Sequence, residues 1–103
     1  MTGIRPRIAI IVGSARPVPI GDQLGAEIAR VVEASSDADV RTLDLREIGL
    51  PMLEEPLMAA LGQYAHAHAR AWAAQVADAD AVIFLTPQYN GGYPASLKNA
   101  IDY

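Results

Sequence analysis

The 103-residue chain contains no cysteine. Disulfides, thiolate chemistry and iron–sulfur ligation are thereby excluded, and a reducing cytoplasm is the natural setting. There is no surplus of positive charge either. Eight Lys and Arg against twelve Asp and Glu give a formal net charge of -4. That excludes a broad basic surface for nucleic acid, though not a small basic pocket. No apolar run approaches the roughly 18 residues of a membrane span. The N-terminal run, Ile8 to Val12, is shorter than the roughly 7–15 residues of a signal-peptide core, and a Gly-Ser turn follows it. Neither the Gly-Lys-Ser/Thr of a Walker loop nor the GxGxxG dinucleotide fingerprint occurs. What is present, 51% hydrophobic and 19% charged residues, is a globular composition sufficient for one domain with a modest core.

The sequence alternates strands and helices. Arg7 to Val12 is a β-branched apolar block ended by Gly13, and Ala81 to Leu85 is a second continuously apolar block ended by Thr86-Pro87. Apolar character without alternation predicts strands buried on both faces of a parallel sheet. A third, more polar strand is expected from Val40 to Leu45, at an edge. Between them, Ile20, Leu24, Ile28, Val31 and Val32 recur at helical spacing and predict a helix over 21–34, which Ser35-Ser36-Asp37 breaks. Tyr64, Ala65, His68, Trp72 and Val76 predict a second helix from Gln63, closed by Asp78 and Asp80. A last helix is expected to start near Pro94, since proline is favourable in a first turn. The fold class is α/β with a parallel sheet in the order 2-1-3. The last strand of that order would be left with a bare apolar edge, which calls for another chain or a further strand to cover it.

In such a sheet the ligand crevice lies at the carboxyl ends of the strands where the order reverses. Two loops are expected there. The first, Gly13–Gly21, offers Ser14, Arg16 and a helix start near Gly21, a combination suited to a phosphate; the plainer reading is a turn with a solvated arginine. The second, Pro87–Tyr93, offers Gln88, Tyr89, Asn90 and Tyr93 around Gly91-Gly92. That chemistry suits a planar heterocycle with hydrogen-bonding edges; the plainer reading is an Asn-Gly turn. Other candidates are weaker. His66 and His68, at i and i+2 in an alanine-rich helix, are expected on different faces, which argues against a metal pair. Glu54-Glu55 reads as a solvated turn without acid–base partners. Trp72 reads as core packing. Asp44 stands where some doubly wound folds place a ribose-binding acid, but without the glycine fingerprint.

The segment TPQYNGGYPASLKNAIDY, from Thr86 to Tyr103, resembles the characteristic segment of the NADPH-dependent FMN reductase family. IAIIVGSARP with the following Ile20-Gly21 is similar to that family's phosphate loop, and LDLREIGLPMLEEP to its second strand and the loop after it. The resemblance is collinear over nearly the whole chain. It implies a flavodoxin-like, doubly wound domain spanning residues 1–103, with FMN as cofactor and NAD(P)H as co-substrate. By position, Ser14, Arg16, Ile20 and Gly21 would hold the FMN phosphate. Pro87, Gln88, Tyr89, Asn90 and Gly91 would line the ring and ribityl chain. Gln88 stands where many relatives have Glu. No side chain is assigned as a catalytic residue, and no metal is expected. The implied reaction passes a hydride from nicotinamide to flavin and on to free flavin, a quinone, or an azo or nitro acceptor, in a cytoplasmic dimer or tetramer. Family members continue with further strands and a third flavin loop, so the chain looks like an N-terminal portion. The alternative is a non-catalytic fragment, or a flavin-binding module that needs a partner chain.

Overall fold

The computed structural model describes residues 5–13 and 21–103. Three parallel strands, β1 (Arg7–Val12), β2 (Asp39–Asp44) and β3 (Ala81–Leu85), form one sheet in the order β2-β1-β3. The register runs Ile8↔Val40 to Val12↔Asp44 on one side of β1 and Ile8↔Ala81 to Val12↔Leu85 on the other. The strand order is the one the hydropathy pattern predicts, and β1 is buried along Ala9–Val12, but β3 carries no buried residue, so the expectation that it is covered on both faces does not hold among the described residues.

The alternation of β1 explains the layers. Ala9 and Ile11 join Leu43, Leu45, Trp72, Leu97 and Ala100 in the core on one face. Ile10 and Val12, both fully buried, point the other way. There α1 (Gly21–Ser35) packs closely because Gly25 has no side chain: a Cβ at Gly25 would stand 3.3 Å from Val12 Cγ2. The apolar stripe of α1 is rotated from the one expected. Gly25, Ile28, Ala29 and Val32 turn inward, whereas Leu24 and Val31 are half exposed. The helix ends at Ser35, where the hydroxyls of Ser35 and Ser36 donate to the carbonyls of Val31 and Val32.

β2 stops one residue short of the expected Leu45. Asp44 accepts the Arg46 N–H at 3.0 Å and so caps a four-residue helix, α2 (Leu45–Ile48). Gly49, at φ 65°, closes that helix in the left-handed region. The Asp44 carboxylate, 9% exposed, is thus occupied in capping and in an ion pair with Arg46, not held open for a ribose.

Helix α3 (Ala67–Ala77) begins four residues later than the spacing from Gln63 predicts. The cause is Glu55. Its carboxylate accepts the N–H groups of Ala65 and His66 at 2.9 and 3.1 Å, so the chain ahead of Ala67 is held against the loop instead of in a helical turn. This overturns the expectation of a solvated turn for Glu55, whose side chain is only 2% exposed, whereas Glu54 is solvent-exposed as expected. Trp72 is buried, as expected, with its Nε1–H donating to the Ala100 carbonyl at 3.0 Å. The last helix, α4 (Ala95–Asp102), has Pro94 at its N-cap, one position outside the helix. Among the described residues no helix is long and apolar enough to cross a membrane.

β3 is an edge strand among the described residues, and Phe84 on it is 50% exposed. An apolar groove of about 360 Å³ lies beside it, lined in part by Trp72, Val76, Val82, Phe84, Leu97 and Ile101. The uncovered apolar edge anticipated from the sequence is therefore present.

Candidate functional site

The two loops expected to carry the chemistry leave adjacent strands at the same end of the sheet. The Gly13 N–H, one residue past β1, donates to the Leu85 carbonyl at the end of β3 at 2.8 Å. The Gly13 carbonyl in turn accepts the Ser96 hydroxyl of α4 at 2.6 Å. Gly13 is buried, and a Cβ there would lie 3.4 Å from both the Leu85 oxygen and Leu97 Cβ. The exit of β1, the exit of β3 and the start of α4 thus converge on one backbone position. Ser14, Arg16 and Ile20 lie outside the described residues, and Gly21 opens α1.

The second loop has a defined shape. Tyr89 and Gly92 exchange backbone hydrogen bonds at 2.9 and 3.0 Å and form an isolated antiparallel bridge. Asn90 at φ 51° and Gly91 at φ 80° occupy the two central positions. Two consecutive positive φ values are the mark of a type I′ turn, which asparagine and glycine accept most readily. The plain Asn-Gly turn is therefore real, and it exposes Gln88, Asn90, Gly91 and Tyr93 while Pro87 and Tyr89 are half-buried. Among the described residues, no hydrogen bond engages the backbone N–H groups of Gln88, Asn90 or Gly91. Amide donors, amide side chains and phenols without a fixed charge suit the hydrogen-bonding edges of a planar heterocycle.

Sequence reasoning passed over two polar side chains at this end of the molecule. Ser96 ties α4 to the exit of β1. Asn99, 7% exposed, donates to the Pro51 carbonyl at 2.8 Å and accepts the Leu53 N–H at 2.9 Å, pinning the long connection after β2. Their local signal is an ordinary helix sequence, and both partners are distant in the chain, so nothing in the spacing marks them.

A parallel sheet ordered β2-β1-β3, with helices on both faces and the exits of β1 and β3 side by side at its switch point, is the arrangement of the flavodoxin-like class of doubly wound α/β proteins. The model of the NADPH-dependent FMN reductase family matches residues 6–103, and the chain belongs to that family. It is 37% identical over 102 residues to an NAD(P)H-dependent FMN reductase of Schizosaccharomyces pombe, covering 97% of this chain and 51% of the relative. A Saccharomyces cerevisiae protein of the same description is 35% identical over 107 residues, covering 93% of this chain and 56% of its own. A 2-hydroxy-1,4-benzoquinone reductase of a Burkholderia species is 35% identical over 97 residues, covering 94% and 49%. The chain spans about half the length of these curated relatives.

Proposed function

We propose that this chain supplies the FMN-holding part of an NAD(P)H-dependent oxidoreductase that reduces a small acceptor of the quinone or flavin type. The observation carrying this reading is the convergence at Gly13, which starts both polar loops side by side at the β1/β3 switch point. In the flavodoxin-like strand order FMN lies at that switch point. Ser14 and Arg16, with the helix start at Ile20-Gly21, would take the phosphate. Pro87, Gln88, Tyr89, Asn90 and Gly91 would take the ring and ribityl chain. Bound FMN supplies the two-electron chemistry; the chain's residues bind it, orient it and leave it accessible. The backbone N–H groups of Gln88, Asn90 and Gly91, which carry no hydrogen bond among the described residues, are suited to stabilising negative charge at the edge of the ring.

The acceptor class rests on the names of the relatives, which include FMN reductases and a benzoquinone reductase. Assembly into a homo-oligomer belongs to the same proposal. A second reading, a flavin-binding module without turnover that a partner chain or further segment completes, is favoured by the exposed Phe84 and the groove beside β3. The test separates binding from turnover. FMN and riboflavin are titrated by quenching of flavin fluorescence, and NAD(P)H oxidation is followed with a quinone present. Arg16→Ala is expected to weaken FMN at least 10-fold and riboflavin little, because only FMN carries the phosphate. Equal losses, or no FMN binding by the parent chain, refute the site. Binding without turnover selects the second reading.

A further inference from the structure

The helix N-terminus at Ala67 carries a side-chain cluster that the flavin site does not use. It contains both of the chain's histidines. Although His66 and His68 are two residues apart, they are not on opposite faces, because His66 lies outside the helix at its N-cap, with φ -104° and ψ 143°. That extended residue turns its ring over that of His68, and the two stack at 5.3 Å with 22° between planes. The loop after β2 adds the third member. Glu55 is drawn onto the Ala65 and His66 amides, and its neighbour Glu54 comes within 3.7 Å of His68 Nε2. Glu54, His66 and His68 each place a donor atom within 4.8 Å of the other two.

Two features set this cluster apart from a chance meeting of surface side chains. His68 Nε2 is shielded from solvent and has no hydrogen-bond partner, with its ring edge-on to Tyr103 at 5.9 Å. A shielded imidazole nitrogen facing a carboxylate just beyond hydrogen-bond range is a donor without an acceptor, or a lone pair without a ligand. The other feature is Glu55, which accepts from His66 Nδ1 at 3.2 Å. A carboxylate behind one imidazole nitrogen fixes the tautomer and leaves the other nitrogen's lone pair free, the outer-shell arrangement common behind metal-bound histidines.

We propose that Glu54, His66 and His68 form a site for a divalent transition metal of the zinc type, with Glu55 as the outer-shell anchor of His66. Two imidazoles and one carboxylate are a borderline-soft donor set that suits zinc better than calcium or magnesium. Metal–ligand distances of about 2.0–2.1 Å at a tetrahedral centre put neighbouring donors roughly 3.3 Å apart. The observed 3.7 Å from Glu54 to His68 is a few tenths wider, and with all three donors within 4.8 Å of one another, closing the site takes side-chain movements of up to about 1.5 Å. Three protein donors leave a fourth position to water, and the partial exposure of all three side chains gives the ion a way in.

The test uses the untagged protein, stripped with chelator and titrated with zinc chloride by calorimetry at pH 7.5. One zinc per chain is expected, with affinity at least 10-fold lower in Glu54→Gln and in His68→Gln. Cobalt(II) should give visible d–d absorption that both variants lose. Glu54 is 53% exposed in a loop, so Glu54→Gln retains the fold and decides the matter alone if His68→Gln unfolds. Absence of stoichiometric zinc binding, or unchanged affinity in Glu54→Gln, overturns the proposal. Flavin binding is read separately, so either result stands independently of the FMN site.

Discussion

Replacing Asn99 with alanine tests how the long connection after β2 is held in place. The Asn99 side chain makes two hydrogen bonds, accepting from the Leu53 N–H and donating to the Pro51 carbonyl. Each side chain–backbone bond contributes about 0.5–1.5 kcal/mol net. The two losses are unequal. The Pro51 carbonyl keeps the Tyr103 hydroxyl at 2.7 Å, so the loss there lies at the low end of the range. The Leu53 N–H keeps no partner among the described residues, but Leu53 is 42% exposed, so water can replace part of what is removed. A small void is left behind as well. The sum is about 2 kcal/mol, a sizeable share of the roughly 5–15 kcal/mol that holds a domain folded. In Tm it corresponds to a fall of roughly 8–16 °C for a chain of this size.

Trp72 makes the measurement direct. It is the single tryptophan, buried, and bonded to the carbonyl of Ala100, the neighbour of Asn99. Urea unfolding followed by its fluorescence should show the midpoint falling with little change in slope. Asn99→Asp is the informative companion. It retains an acceptor for the Leu53 N–H but turns a carboxylate toward the Pro51 carbonyl, so at pH 7 it should be at least as destabilised as alanine and recover part of the loss on acidification. A loss below about 0.5 kcal/mol in Asn99→Ala, in the range of an ordinary surface substitution, would refute the assignment of this residue as the loop's anchor.

Three further outcomes follow from particular contacts. Gly91→Ala places a side chain at φ 80°, costing about 1–2 kcal/mol, and should weaken FMN binding by opening the turn; unchanged flavin titration would contradict the turn's role. The Glu55 carboxyl is held below its ordinary value: burial opposes its ionisation, but the His66 and Ala65 N–H groups and the His66 ring outweigh that. Its stabilising effect is therefore complete above the unfolded glutamate pKa of about 4.3 and is lost as pH falls through the lower folded value, so Glu55→Gln should flatten the acid limb of a urea-midpoint profile, and an unaltered limb would contradict this. At Gly13, alanine should be tolerated because its Cβ meets neighbours at 3.4 Å, whereas valine must push α4 from β1, lowering Tm and FMN affinity together; a valine variant that titrates like the parent would refute the convergence.

The parts of this fold that could be read from sequence are those decided by neighbouring residues. The uninterrupted apolar block at Ile8–Val12 marked the central strand, buried from Ala9 to Val12, and the second block at Ala81–Leu85 marked its neighbour, although β3 itself carries no buried residue. The turn at Asn90-Gly91 was legible for the same reason, because left-handed backbone restricts the residue types. Features set by partners far along the chain were not legible. The start of α3 at Ala67 is set by the carboxylate of Glu55, twelve residues upstream, which no helical periodicity records. The meeting of Glu54 with His68 depends on that same contact. The rotated stripe of α1 arises from Gly25, whose missing side chain admits Val12 and draws that face inward at the expense of Leu24 and Val31.

The segment that carries the family resemblance does two jobs, and α4 shows why they are hard to separate. Ser96, Asn99, Ala100 and Tyr103 recur at three- and four-residue intervals and so share one side of the helix. Together they are tied to three different elements. Ser96 reaches the exit of β1, Asn99 the loop after β2, and Ala100 accepts from Trp72 of α3. Tyr103 adds a second bond to Pro51. One face of a helix of eight residues thus joins the exit of β1, the loop after β2 and the crossover helix that leads into β3. The Asn-Gly turn sits immediately ahead of that helix and inherits its position. A loop built this way needs few stabilising contacts of its own, and among the described residues the N–H groups of Gln88, Asn90 and Gly91 carry no hydrogen bond. The amide-rich turn would hold its ligand in place because α4 fixes where the turn begins, and substitutions on α4 that never touch a flavin should weaken its binding.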